Sequence, residues 1–214
     1  MKKIFSVMLV IIVVCLCFAG CGSSSKSNDG SNQNTVVSKL DTSNWKDYKI
    51  QVNGEVIEFG KTTPSDLNNG LGEFTQVSGL PFSKEYESNK GYMGNFKNLQ
   101  NKFSYLAFCF YNISKEEVLP AEKCVIHDIS VKRGKIEDLE DVSILLPGNL
   151  DFEKSKFGDF VEKYGEPDGS VENSDSYDGN SFYSWGELDT GSIGIVVNDN
   201  GDVLELMYGL FDLG

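Results

Sequence analysis

Beyond residue 40 the apolar residues come in short runs divided by turn signals, a pattern that fits strands far better than long helices. WKDYKIQV (45–52) and EVIEF (55–59) flank Asn53-Gly54, and an Asn-Gly pair between such runs is a strong hairpin signal. Strands are also expected near 91–97, in FSYLAFCFYN (103–112) and in KCVIHDISVKR (123–133). SFYSW (181–185), SIGIVV (192–197) and DVLELMY (202–208) read as a meander, the last two joined by the turn Asn198-Asp199-Asn200-Gly201. Helix signals occur twice. Thr63-Pro64-Ser65-Asp66-Leu67 offers an N-cap, a proline at the first helical position and an acid in the first turn, with Gly70 and Gly72 to stop it. Ser155 can cap a helix in which Phe157, Phe160, Val161 and Tyr164 form one apolar stripe ended by Gly165 and Pro167. The pattern predicts an α+β fold of short helices packed on antiparallel sheets. A division near Pro147 gives a first half (41–146) and an acidic second half (147–214), each readable as a helix followed by three strands.

The N-terminus has a different character. Lys2 and Lys3 precede an apolar run from Ile4 to Phe18, about 15 residues, which is the length of a secretory signal core and short of the roughly 20 residues a membrane span needs. Small residues then lead to a cysteine, and Phe18-Ala19-Gly20-Cys21 resembles the lipobox of bacterial lipoproteins. That resemblance implies a signal peptide over 1–20 and a Cys21 diacylated on its sulfur as the mature N-terminus; two acyl chains suffice for stable anchoring. Residues 22–35 (GSSSKSNDGSNQNT) cannot bury apolar area, so 21–40 is expected to be a flexible tether. The expected location is the extracytoplasmic side of a membrane, held there by Cys21.

Charge narrows the partners. Lys and Arg number 19 against 32 Asp and Glu, a net charge of −13, which repels a phosphate backbone and excludes nucleic acid as a partner. From 147 to 214, 15 acids face only Lys154, Lys156 and Lys163, a net of −12. Such a half could meet a basic partner or envelope cations, or serve as a solvated face. Of five cysteines, Cys15 and Cys17 leave with the signal and Cys21 takes lipid, leaving Cys109 and Cys124 in a domain where oxidation is permitted. A hairpin connection centred near residues 116 and 117 would place these two opposite each other as cross-strand neighbours. A disulfide and two buried free thiols are both open readings.

The residues of familiar catalytic sites are missing from the sequence. It holds no GxSxG, HExxH, GxxxxGK[ST] or CxxC, so hydrolase, metalloprotease, P-loop and zinc-ribbon readings lack their minimal residues, and no cofactor or metal is expected. Cys124 and His127, the sole histidine, lie three apart in a strand-like run and would point to opposite faces, while His127 would share a face with Val125, Ile129 and Val131. Asn198 to Asp202 has calcium-loop residue types but lacks the distal Glu, which favours a plain turn. Tyr177, Tyr183 and Trp185 could form an aromatic patch for a protein or sugar, with core packing of Tyr183 and Trp185 as the competing reading.

Residues 157–208, with the helix end Tyr164-Gly165-Glu166-Pro167, the Tyr183 and Trp185 strand and a Gly-rich strand-turn-strand finish, are similar to the module of beta-lactamase-inhibitor-protein-like and SmpA/OmlA-like lipoproteins. The whole chain, from lipobox through WKDYKIQVNG, PSDL and KCVIHDISV to KYGEPD, resembles uncharacterised cell-envelope lipoproteins of Gram-positive bacteria. The resemblance implies a helix-on-sheet α+β fold, and relatives of the module bind proteins rather than turn over substrates. No residue of the inhibitor's enzyme-contacting loops matches here, so inhibition is not implied. The expectation is a membrane-anchored extracytoplasmic lipoprotein acting as a non-catalytic module that binds a protein or a cell-wall component; the alternative is a carboxylate-dependent cell-envelope hydrolase.

Overall fold

Asn53 and Gly54 both take positive φ (49° and 88°), the left-handed pair that a two-residue hairpin turn requires, and they join β1 (Lys49–Val52) to β2 (Glu55–Glu58). The computed structural model describes residues 40–76, 85–99, 103–133, 142–187 and 189–210; the expected signal peptide, Cys21 and the tether to residue 39 lie outside them. Leu40, the last residue of the expected tether, is buried, and its N–H donates to Asn149 Oδ1 at 3.0 Å.

After β2 come α1 (Pro64–Leu71), β3 (Phe74–Gln76), β4 (Glu85–Tyr86), β5 (Gly91–Phe96), β6 (Tyr105–Tyr111), β7 (Leu119–Pro120) and β8 (Val125–Lys132). The second half adds β9 (Ile144–Leu146), β10 (Leu150–Asp151), α2 (Phe157–Tyr164), β11 (Gly169–Val171), β12 (Ser181–Glu187), β13 (Gly191–Val197) and β14 (Val203–Leu210). Eight strands form one sheet in the order β11-β12-β13-β14-β8-β6-β5-β3, four form a second in the order β10-β9-β1-β2, and β4 pairs with β7. The described pairs are antiparallel, which makes this an α+β fold dominated by sheet. The large sheet takes strands from both sides of Pro147, which meet where Leu206 of β14 faces Val131 of β8.

One hydrophobic cluster joins the elements. Ile50, Val52, Ile57, Ile144 and Leu146 of the small sheet meet Phe108, Ile129, Ile193 and Leu206 of the large one, with Leu67 and Leu71 of α1 and Phe160 of α2 in the same cluster. Both helices begin on an acidic side chain. The Asp66 carboxylate accepts the Thr63 N–H at 2.8 Å, and the bonds from Thr63 lower its pKa. In α2 the Asp159 carboxylate accepts the Lys156 N–H at 2.8 Å, so Ser155 is not the cap; its Oγ takes the Asp151 N–H instead. The cluster occupies one face of the large sheet. The opposite, outer face bears neither α1 nor α2; a 3-10 turn (Asp175–Tyr177) reaches it beside β12.

Candidate functional site: the outer face of the large sheet

Strand alternation decides which side chains reach the outer face, and a bulge in β8 alters that alternation at its centre. Phe110 pairs with Ile126, but its neighbour Cys109 pairs with Asp128, so β8 spends one extra residue there. A bulge of this kind re-aims side chains on one strand. Ile126, Ile129 and Val131 enter the core cluster, whereas Asp128 faces outward with Cys109 and Met93, its register partners across β6 and β5. His127 is therefore not on the face of Ile129 and Val131. Its ring meets the edge of Tyr111 at 5.9 Å between centroids, and Nδ1 lies 2.9 Å from Asp128 Oδ2. Gly209 of β14 pairs with Asp128 on the other side, so close that a Cβ there would stand 2.2 Å from Asp128 Cβ.

The pairing expected of Cys109 and Cys124 does not occur. Cys109 faces Asp128, while Cys124 caps the C-terminal end of a 3-10 turn over Ala121–Lys123, just before β8, and both are buried free thiols. The connection from β6 to β8 is no simple hairpin, since it detours through β7 and that turn, and the bulge adds a further shift of register. Burial and then the Asp128 charge, with a hydrogen bond to that carboxylate, push the Cys109 thiol far above its ordinary range; burial pushes Cys124 up to about 11. A buried thiol hydrogen-bonded to a carboxylate is held in its protonated form, which opposes its use as a nucleophile. Among the described residues no group of three or more His, Cys, Asp or Glu side chains is placed to hold a metal ion, and no helix is long and apolar enough to cross a membrane.

Tyr177, Tyr183 and Trp185 do not form one patch. Trp185 is buried against Phe160 and Tyr164 and donates Nε1–H to Gly165 O at 2.8 Å, while Tyr183 stacks on Phe157 with centroids 4.1 Å apart. Both belong to the inner side. Tyr177 lies on the outer side, stacked on Phe182 at 5.3 Å and 14°. Phe182, one residue out of phase with Tyr183, is the aromatic that sequence reading missed; the alternation in SFYSW already separates it from the other two. Its ring occupies the space over Gly194, where a Cβ would meet it at 2.9 Å, and its partner on the edge strand is Val171, 51% exposed. At the other end of the face Tyr105 and Met93 are exposed, with the Tyr105 hydroxyl 3.6 Å from Met93 Sδ.

The turn after β13 is internally satisfied: Asn198 Oδ1 accepts the N–H groups of Asn200 and Asp202, both at 2.9 Å, and Asp202 pairs with Lys156 at 3.0 Å. It is the plain hairpin turn expected. An open cavity of about 530 Å³ lies between α1, β3, β4 and β7, lined by Asn68, Glu73, Phe74, Glu85 and Glu122, and its carboxylates disfavour anions.

The fold and its outer face define a sheet-dominated α+β domain with acidic surfaces and buried, protonated thiols. No family model matches the chain, and no curated protein matches it. Among solved structures it is similar to a DUF4309 family protein (YjgB) from Bacillus subtilis, with 12% identity over 72% of this chain and 82% of that one, at a TM-score of 0.36. A likeness that distant carries no functional argument.

Proposed function

We propose that the protein is an exported lipoprotein anchored through Cys21, whose folded domain is a non-catalytic module binding a protein or another envelope component. The observation that carries the binding reading is the outer face. It presents exposed Val171, Met93 and Tyr105 together with the Tyr177–Phe182 stack, and α1 and α2 pack on the other side. Aromatic, Met and aliphatic side chains with an acidic rim are the make-up of a protein-binding surface. The resemblance of residues 157–208 to a module whose relatives bind proteins points the same way. Anchoring rests on the charged start, the apolar run and the polar stretch around Cys21.

A photo-crosslinking residue placed at Tyr177 of the full-length protein in cells tests the binding reading. A discrete adduct that depends on light is expected there, with none from the same residue at Lys61, an exposed position beside β2 on the small sheet. Adducts from Lys61 and none from Tyr177 would contradict the assigned face, and turnover of a glycan or peptide lost on changing a single Asp or Glu would favour the hydrolase.

A further inference from the structure

The edge of the large sheet offers a partner a means of attachment. β11 ends that sheet among the described strands; it pairs with β12 on one side, and no described strand lies on the other. Ser170 and Val171 are exposed, so the edge is open to an incoming chain. A strand edge of this kind has backbone N–H and C=O groups free to pair with another extended segment.

Its surroundings select the charge of that segment. Residues 166–187 contain Glu166, Asp168, Glu172, Asp175, Asp178 and Glu187 and no Lys or Arg. Asp168 is committed to the hairpin, accepting the Gly186 N–H at 2.7 Å, but Glu166, Glu172, Asp175 and Asp178 are all exposed around the edge. Lys132, a cation of the same sheet face, is held by Glu205 at 2.5 Å. The edge at β2 is different, because Glu58 there is already paired with Lys49 and Lys61. Apolar contact is also provided: Val171 and Phe182 pair across β11 and β12, with Tyr177 stacked on Phe182.

We propose that β11 is a strand-addition edge that takes an extended polypeptide segment bearing lysine or arginine. This deepens the binding-module reading and rests on it. Backbone hydrogen bonds along Gly169 to Val171 hold the segment, side chains directed to the outer face lie on Val171 and Tyr177, and the basic ones meet Glu172 and Asp175. Because the carboxylates are solvent-exposed, the attraction falls steeply with salt.

The test uses the full-length protein and a blocked fluorescent peptide of alternating lysine and valine, followed by anisotropy. Saturable binding that weakens with added salt is expected. The same peptide N-methylated on alternate amides keeps its charge but loses the backbone bonds, and should bind about tenfold more weakly or not at all. Charge reversal by Glu172→Lys with Asp175→Lys, both at exposed positions, should weaken binding by about the same factor at an unchanged thermal midpoint. Equal binding of the N-methylated peptide, indifference to the charge reversal, or no saturable binding overturns strand addition. Failure here with the Tyr177 crosslink still formed removes strand addition alone, whereas loss of both removes the binding reading too.

Discussion

At the scale of single residues, the two thiols are the clearest departure from expectation and the most accessible to measurement. Cys109 and Cys124 should resist alkylation in the folded protein and react fully on unfolding, and a mapped 109–124 disulfide would contradict the register of β6 and β8. Their environment also sets a pH dependence. From an ordinary value of 9.0, burial raises Cys109, with the Asp128 charge adding to it, and burial raises Cys124 to about 11. Below pH 9 folded and unfolded chains both hold these protons. Above it the unfolded chain releases them while the folded one keeps them, so stability falls as pH rises. Thermal midpoints under reducing conditions should therefore decline from about pH 9 upward, and less so in Cys109→Ala. A flat profile would show that the thiols are not desolvated.

At the scale of elements, legibility followed locality. The β1–β2 turn, both helices and the β12–β13–β14 meander were readable because Asn53-Gly54, Pro64, Gly165 and the alternation of 181–208 act on neighbours in sequence. The β8 bulge was not, since it depends on how β6 and β14 flank β8. Its consequence was also hidden: one extra residue turned Asp128 outward and brought it to Cys109. The alternation of SFYSW also divides the aromatics, placing Phe182 with Tyr177 on the outer side and Tyr183 and Trp185 on the inner one. Gly209 gives the bulge its direct test. A methyl group there would meet Asp128 Cβ at 2.2 Å and His127 O at 2.8 Å, so Gly209→Ala should lose about 1–3 kcal/mol in denaturant unfolding. An unchanged midpoint would mean that β14 does not press against the bulge.

At the scale of the whole molecule, the distribution of charge and the direction of the faces work together. The two halves seen in sequence share one sheet, so the acidic second half supplies the exposed β11 edge while the first half supplies Tyr105 and Met93 at the far end of the same outer face. A chain tethered ahead of Leu40 by a flexible linker would hold this face within some tens of ångströms of a membrane, at roughly 5 to 6 Å times the square root of the linker length. Presentation of this face at a membrane depends first on the anchor. The most direct measurement is the partition of the full-length protein and of Cys21→Ala between the membrane and soluble fractions of an expressing bacterium. Wild-type protein is expected in the membrane fraction and Cys21→Ala in the soluble one; full membrane association of Cys21→Ala would contradict lipid anchoring.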